Sequence, residues 1–452
     1  MMISYLSGMV DIERLSRQAL RMAKKLGATD AVLSYYSTKT YMVRFSNNEV
    51  TVSKVFMDES ADLYVALRER RAVSSTSIIS AKSFKELVDN AVSIAKNAPP
   101  GEVYAPLPRG PFKYDRKLLD QSLGRISHDK LVGWVDEAIS GALNQGAKRV
   151  AGSLVFSRSY RFLMTSEKVE AEDRKDTVEI SVRAFLDGES SGQFAAAAGT
   201  LEEFKPERVG STAGEIARMA DKPIPGEPGV YDAIIGPMTF ANILEEVGEM
   251  ASAFHVDSGL SFLKDKLGQK VAYDILTLVD DPTIHGSYGA EPFDDEGLPT
   301  RRNPIIENGV LKTYLHNSYT AKKFNVESTA NAGLLVPTPF NLVVEGGTDS
   351  LSGLISKLDR GILVTNDWYL RYRDTTSGDF STIPRDGMFL IINGSIERPI
   401  RELRISDNML RMIQNIESMT HEKYWIKWWE VETPVKAPYA LIKNVNFTKS
   451  TI

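Results

Sequence analysis

A segment rich in proline and glycine near the middle of the chain divides the sequence into two halves of different character. Three prolines and two glycines fall within the ten residues from Asp221 to Val230. Proline fixes one backbone angle and lacks an amide proton, and glycine favours no single conformation, so such a stretch interrupts regular structure. We therefore predict an N-terminal domain over residues 1–220, a linker over 221–230 and a C-terminal domain over 231–452.

Amphipathic helices and period-two strands follow one another irregularly in the N-terminal half. Helices are predicted over residues 12–26 behind Asp11, 84–96 behind the capping pair Ser83 and Glu86, 129–143 behind Ser127, and 207–220. Strands are predicted over residues 31–36, 40–45, 50–56, 63–67, 150–156, 161–166 and 178–186. Asn47–Asn48 and Asp58–Glu59 are the predicted turns of an antiparallel meander. Helices and strands lack the strict alternation of a doubly wound fold.

The C-terminal half begins with one amphipathic helix, predicted over residues 237–254, and is otherwise rich in strands. The apolar residues of this helix form one stripe: Phe240, Ile243, Leu244, Val247, Met250, Ala251 and Phe254. Glu245, Glu246 and Glu249 lie beside or opposite that stripe and predict an acidic outer face. The fold class is therefore α+β: an N-terminal helix-and-antiparallel-sheet domain followed by a β-rich, barrel-like C-terminal domain.

Two Asn-Gly dipeptides in the C-terminal half predict tight hairpins. Asn308–Gly309 and Asn393–Gly394 each lie between apolar runs. Asparagine and glycine tolerate the positive φ angles that a two-residue turn requires. Shorter helices are predicted near residues 351–358 and 406–415.

The composition excludes several classes of protein. The chain contains no cysteine, which rules out disulfides, thiolate metal cages and a cysteine nucleophile. Residues Met1–Val10 lack the basic and apolar regions of a signal peptide, and no run approaches the roughly 18 apolar residues of a transmembrane helix. The net charge is −5, which argues against a broad phosphate-binding surface. We therefore predict a cytoplasmic protein that binds neither nucleic acid nor membrane.

Histidines and acidic residues are the candidate metal ligands. The histidines, none of which forms a local ligand motif, are His128, His255, His285, His316 and His421. A zinc site would need folding to bring three of them together, and capping, core or surface roles are commoner. Oxygen ligands for a hard cation could come from the acidic cluster of Asp280, Asp281, Asp294, Asp295 and Glu296. The sequence Asp295–Glu296–Gly297 is also typical of a simple turn, which is the commoner use.

Serines and aromatic residues give weaker signals. Ser190–Ser191–Gly192 and Ser377–Gly378–Asp379 lack a helix-opening context and a nearby base, which argues against a nucleophilic serine. Tyr424, Trp425, Trp428 and Trp429 are close together in the sequence, and such a cluster more often lies in a core or a subunit interface than around a ligand.

Three runs in the C-terminal half carry a family resemblance. They are Leu278–Gly286 (LVDDPTIHG), Phe293–Arg301 (FDDEGLPTR) and Ile305–Tyr314 (IIENGVLKTY). The segments 317–324, 328–333 and 377–381 follow in the same order, and a late hairpin lies over 390–402. Together they resemble the central signature of the TldD/PmbA (TldE) family, also called modulators of DNA gyrase. The likeness is specific over residues 231–412 and looser in the N-terminal half.

That resemblance also identifies where a zinc site would lie. TldD-type members of the family carry His-Glu-x-x-x-His on a helix, and a later cysteine completes the site. Counting back without gaps from Val271 places the motif on residues 244–249, where Leu244 and Glu249 replace the histidines and Glu245 keeps the position of the catalytic base. Catalytic zinc sites have about three protein ligands. The resemblance therefore implies neither metal nor cofactor in this chain, and no catalytic residue can be assigned.

The function implied by the resemblance is that of a partner subunit. The chain is similar to the PmbA/TldE-type member of a TldD/TldE-type metallopeptidase complex, a pseudoenzyme subunit that helps to enclose unfolded peptides for proteolysis. The expected partner is a TldD-like subunit that holds the zinc, and a homodimer is expected in its absence. Exposed sheet edges are expected to hold the peptide by strand addition.

An alternative function is a hydrolase active on its own. Its site would combine Glu245 or Glu249 with His255 and an adventitious cation.

A separate expectation concerns the helix: ligands five residues apart lie roughly 140° apart around a straight helix, so Gly248 is predicted to mark a bend.

Overall fold

The computed structural model describes residues 11–188 and 190–450. Residues Met1–Val10, where the sequence argues against a signal peptide, lie outside the described residues. The helices of the N-terminal half are α1 (Ile12–Lys25), α2 (Ala81–Asn97), α3 (His128–Asn144) and α4 (Pro206–Met219). Its strands are β1 (Asp30–Ser46), β2 (Glu49–Leu67), β3 (Arg70–Thr76), β4 (Arg149–Thr165), β5 (Glu170–Phe185) and β6 (Ser191–Ala198).

These six strands form one antiparallel sheet in the order β3-β2-β1-β4-β5-β6. Helices α1 and α2 pack at the β1–β3 end, and α3 and α4 pack at the β4–β6 end. Asp11 caps α1 and Ser127 caps α3, as predicted. Helix α2 begins three residues earlier than predicted, because Ser80, rather than Ser83, accepts the capping hydrogen bond.

The first strands are much longer than the sequence pattern predicts. The Asn47–Asn48 turn is confirmed, with both residues at positive φ. The predicted turn at Asp58–Glu59 is wrong, because both residues lie inside β2 and pair with Thr38 and Ser37 of β1. Since β1 is paired on both sides here, with β2 and with β4, the polar residues continue the strands instead of ending them.

The C-terminal half surrounds a second and larger sheet. Its helices are α5 (Pro237–Met250), α6 (Ala253–Asp257), α7 (Ser318–Phe324), α8 (Leu351–Ser356) and α9 (Met409–Gln414). The strands are β7 (Ile224–Pro225), β8 (Gly229–Ile235), β9 (Thr277–Asp280), β10 (Asn303–Glu307), β11 (Val310–Leu311), β12 (Leu342–Glu345), β13 (Arg360–Val364), β14 (Asp367–Asp374), β15 (Asp379–Pro384), β16 (Met388–Ile392), β17 (Ser395–Arg401), β18 (Leu403–Asn408), β19 (Ile416–Trp428) and β20 (Val431–Lys449).

Strand β20 is the hub of this sheet. It pairs antiparallel with β8, β18 and β19 and parallel with β12, so four different strands depend on it. Both Asn-Gly hairpins are confirmed: they join β10 to β11 and β16 to β17 with positive φ at both turn residues. The α+β class is confirmed, while the barrel-like shape stays a prediction. Across residues 11–188 and 190–450, no helix combines the length and apolarity of a membrane span.

A buried arginine joins the N-terminal sheet to a loop of the C-terminal half. Arg161 of β4 donates to the carbonyl of Phe293 at 2.9 Å and to the carboxylate of Asp295, and its guanidinium lies 4.6 Å from the centre of the Phe293 ring. Tyr36 of β1 also donates to Asp295, at 3.0 Å. One apolar core extends from β4–β6 into the C-terminal half. The division into domains at residues 221–230 stays a prediction.

We predict that Arg161→Gln destabilises the protein by about 3 kcal/mol, because the partly buried carboxylates of Asp295 and Glu291 would lose their buried counter-charge. Chemical denaturation of the variant and the wild type measures the difference. Arg14→Gln is the matched control, since Arg14 lies on the exposed face of α1 with its side chain 62% exposed. A loss below about 1 kcal/mol, the range of an exposed ion pair, would contradict the structural role.

Candidate functional site

Helix α5 is the centre of the candidate site, and the fold encloses it almost completely. Gly236 and Pro237 lead from β8 straight into the helix, and Pro237 lies at the first helical positions, where a missing amide proton costs nothing. The helix packs against β12, β14, β19 and β20. Of its fourteen residues only Glu246 and Glu249 are partly exposed. The predicted acidic outer face is therefore wrong: strands cover the side that the sequence pattern assigns to solvent.

The carboxyl groups of α5 consequently lie in a poorly solvated environment. Glu245 is 8% exposed and accepts a hydrogen bond from the backbone N–H of Thr433 in β20. Burial raises the pKa of Glu245 to about 8 and that of Glu249 to about 7, and it raises the pKa of Glu246 as well. Burial has this effect because it penalises the charged form of a carboxyl group. Glu245 is thus largely protonated at neutral pH.

Residues from β14 and from the turn between β19 and β20 complete this acidic cluster. Glu430, in the turn between β19 and β20, has a side chain only 3% exposed; one oxygen accepts from the N–H of Leu370 at 3.3 Å. Its other oxygen has no hydrogen-bond partner among the described residues. The hydroxyl of Tyr372 in β14 faces Glu246 without a hydrogen bond of ordinary geometry. Asp367, fully buried at the start of β14, has its pKa raised to about 7 by burial.

No local sequence pattern points to these three residues. Glu430, Tyr372 and Asp367 come to α5 from strands that follow it by more than a hundred residues, so no local spacing connects them with the helix. The sequence contains one signal for Glu430. It directly follows Trp428 and Trp429, and an acidic residue next to two large apolar residues is unusual.

The residues around α5 do not fit a zinc ion. Leu244 is fully buried and has no donor atom, and the carboxyl group of Glu245 is turned to the backbone of β20. The ring of His255 contacts the backbone carbonyl of Glu249 at 2.9 Å and not its carboxylate. No cysteine exists to complete a site. Within residues 11–188 and 190–450, no group of three or more potential ligand side chains is arranged to hold a metal ion.

Gly248 has a packing role. The helix is continuous through this residue, so the structure contains no helix break at the place where the bend was predicted. A Cβ atom at Gly248 would lie 2.7 Å from Cδ1 of Leu342 in β12. The glycine therefore allows the buried leucine to approach the helix backbone closely. Phe254, assigned to the apolar stripe, instead lies in α6 and is 38% exposed, because the chain turns after Met250.

The five histidines lie apart and have separate partners. The partners of His128, His255, His285, His316 and His421 are, in that order, Ser53, the carbonyl of Glu249, Asp115, Thr320 and the carbonyl of Asp349. His316 is 3% exposed, and burial lowers its pKa to about 4, so this ring is neutral. The structure does not bring three histidines together.

The acidic residues that are clustered in the sequence accept hydrogen bonds from nearby backbone and side-chain groups. Asp294 accepts from the backbone of Glu296 and Leu298, and Gly297 closes the turn back to the Asp294 carbonyl at 3.0 Å. The partners of Asp280, Asp281, Asp295 and Glu296 are, in that order, Asn331 with two backbone amides, Thr283, Arg161 with Tyr36, and Ser318. The turn interpretation of Asp295–Gly297 is supported, and these carboxylates have structural partners.

The remaining candidates also have structural roles. Ser190 donates to the carbonyl of Ala217 and Ser191 donates to Asp386. Ser377 lies in the exposed turn between β14 and β15. Trp425 and Trp428 are buried, which confirms the core assignment for these two residues, whereas Trp429 is 52% exposed.

Comparison with known proteins finds one family repeatedly. Two family models match it: the PmbA/TldA metallopeptidase C-terminal domain over residues 228–449, and domain 1 of the same group over residues 31–95. A metalloprotease of Methanothermobacter thermautotrophicus is 29% identical over 63% of this chain and 65% of its own length. A PmbA homologue of Buchnera aphidicola is 31% identical over 48% of this chain and 47% of its own length. These alignments span less than two thirds of the relatives.

Solved structures share the fold over nearly the whole chain. TldE from Thermococcus kodakarensis superposes with a TM-score of 0.83 at 22% identity, covering 96% of this chain and 100% of that one. A putative modulator of DNA gyrase from Thermotoga maritima gives a TM-score of 0.83 at 23% identity, covering 97% of this chain and 100% of that one. At this level of identity the likeness establishes the fold.

We predict that Glu245→Gln stabilises the protein at alkaline pH. The folded-state pKa of about 8 lies above the ordinary value of 4.5, so the wild type loses stability as pH rises between these values. Glutamine keeps an oxygen for the Thr433 N–H and carries no charge. The variant should gain about 2–4 kcal/mol over the wild type at pH 9 and little at pH 4, by denaturation across this range. The exposed control Glu137→Gln should leave the profile unchanged; parallel profiles for Glu245→Gln would contradict the prediction.

Proposed function

Because the chain belongs to the PmbA/TldD family of metallopeptidases, we propose that it is the TldE-type subunit of a metallopeptidase pair and holds no zinc of its own. The partner in this proposal is a TldD-like subunit that carries the zinc. The pair would act on unfolded peptides, and this chain would help to enclose them. The cellular location proposed for the pair is the cytoplasm.

The observation that carries the proposal is the packing of Leu244. The first histidine of the zinc motif would lie at this position, which is fully buried among the side chains of the main core. A leucine there has no donor atom. Burial raises the pKa of neighbouring Glu245 to about 8, and its carboxyl group accepts a hydrogen bond from the Thr433 N–H of β20. Since catalytic zinc needs about three protein ligands, the helix supports a role without metal chemistry.

A peptide-enclosing role agrees with the chemistry around α5. Glu246 and Glu249 are the partly exposed residues of the helix, so their carboxyl groups are the ones on α5 that a bound peptide can reach. A carboxyl group accepts hydrogen bonds when it is ionised and also donates one when it is protonated. Backbone amides and carbonyls of an extended peptide provide both donors and acceptors.

We predict that the isolated chain has no proteolytic activity and that activity appears when it is mixed with a zinc-bearing relative whose His-Glu-x-x-x-His motif is intact. Cleavage of an unfolded, fluorescently labelled casein measures this for each chain alone and for the equimolar mixture. A chelator should abolish the activity of the mixture, because the metal belongs to the partner. Chelator-sensitive cleavage by the isolated chain would contradict the proposal.

The alternative of an independent hydrolase makes a different prediction. A site built from Glu245 or Glu249 with His255 would lose activity in both Glu245→Gln and His255→Ala. We expect the mixture with the partner to cleave casein equally well with either variant or with the wild-type chain, since His255 hydrogen-bonds the backbone carbonyl of Glu249 and not its carboxylate. Loss of activity in both variants, with folding retained by circular dichroism, would support the independent hydrolase instead.

A further inference from the structure

A cavity of about 530 Å³ lies where strands β5 and β6 of the N-terminal sheet meet strands β15 to β18 of the C-terminal half. The segments 383–388 and 400–403 supply most of its wall, and none of the fourteen residues of α5 lines it. Cavities that bind small molecules typically have volumes of about 300–1,000 Å³ and combine an apolar lining with a few polar groups. This cavity has the size of a small-molecule site and is separate from the carboxyl groups of α5.

The inner part of the cavity is apolar. Met388, Ile400 and Leu403 line it, and all three side chains are buried. Pro223 and Ile383 add further apolar surface. An apolar group that enters this part of the cavity leaves water, and its removal from water stabilises the bound state.

Arg385 adds a positive charge on the solvent side of the cavity, where this residue is exposed. Its guanidinium lies 5.3 Å from the centre of the Trp368 ring. No carboxylate in the described part of the chain forms an ion pair with Arg385. A guanidinium presents a planar fork of N–H donors that matches the two oxygens of a carboxylate. The fork of Arg385 can therefore bind a carboxylate that a ligand brings.

The other two arginines that line the cavity have acidic neighbours. Arg183 pairs with the buried Asp386 at 2.7 Å, and Arg401 pairs with Glu402 at 3.4 Å. Among the described residues of the cavity, the charge of Arg385 is therefore left without compensation. A ligand with a single negative charge balances it.

We propose that this cavity binds a small molecule that carries one carboxylate on an apolar body. Arg385 donates hydrogen bonds to the carboxylate, and the apolar body lies against Met388, Ile400 and Leu403. Two kinds of molecule share this chemistry: a short apolar peptide with a free C-terminal carboxylate, and a medium-chain fatty acid. The inference does not rest on the proposed function.

Calorimetric titration of the full chain with two probes, N-acetyl-leucyl-leucine and octanoate, tests the proposal and separates the two kinds of ligand. We expect one ligand to bind per chain, and the probe that binds more tightly identifies the kind. N-acetyl-leucyl-leucine amide lacks the charge, and acetate lacks the apolar body. Each should bind about tenfold more weakly, or worse, than the better probe.

Arg385→Gln locates the site. This variant should raise the dissociation constant of the better probe about tenfold or more, because a charged hydrogen-bond donor is lost. Its Tm without ligand should equal that of the wild type, since Arg385 is exposed. Arg385→Lys keeps the charge without the fork and should recover only part of the affinity. Arg125→Gln changes an exposed arginine that does not line the cavity and should leave the affinity unchanged.

Three results would overturn the proposal. The first is that neither probe binds at millimolar concentration. The second is an affinity that Arg385→Gln leaves unchanged, which would place the ligand elsewhere. The third is equal affinity for N-acetyl-leucyl-leucine and its amide with no binding of octanoate, since the carboxylate would then contribute nothing.

Discussion

The C-terminal sheet encloses helix α5, and this enclosure determines how much solvent the carboxyl groups of the candidate site contact. Strand β20 holds β8, β12, β18 and β19 in one sheet and presents the N–H of Thr433 to Glu245. A helix with only two partly exposed residues leaves little water for its carboxyl groups. Their pKa values rise for that reason, and Leu244 of the same helix is fully buried in the core.

A second constraint is the burial of charge between the halves of the chain. The side chain of Arg161 contacts Asp295 and the ring of Phe293, which lie in a loop of the C-terminal half. Asp280 and Asp294, close by in sequence, accept backbone hydrogen bonds instead. The acidic residues that suggest a cation site in the sequence therefore have separate partners in the structure. The positive charge beside Asp295 is the guanidinium group of Arg161.

Local chemistry made several elements predictable from sequence. The Asn-Gly dipeptides at residues 308–309 and 393–394 form their turns because positive φ is a property of the residues themselves, and Asp11 and Ser127 cap helices through short-range hydrogen bonds. Features that depend on the pairing of distant segments could not be predicted from local sequence. The polar residues Asp58 and Glu59 continue a strand because β1 pairs with them, and the burial of Glu245 depends on a strand almost two hundred residues away. Glu430 and Tyr372 reach the site by the same kind of distant contact.

We propose that α5 holds no zinc, because Leu244 packs in the core and the carboxyl group of Glu245 accepts a hydrogen bond from the backbone of β20. Calorimetric titration of the isolated chain with zinc at neutral pH tests this proposal. The packing of Leu244 and the carboxyl geometry predict no stoichiometric binding at zinc concentrations that saturate catalytic sites. One tightly bound zinc ion per chain, lost in Glu245→Gln or in Glu249→Gln, would contradict it.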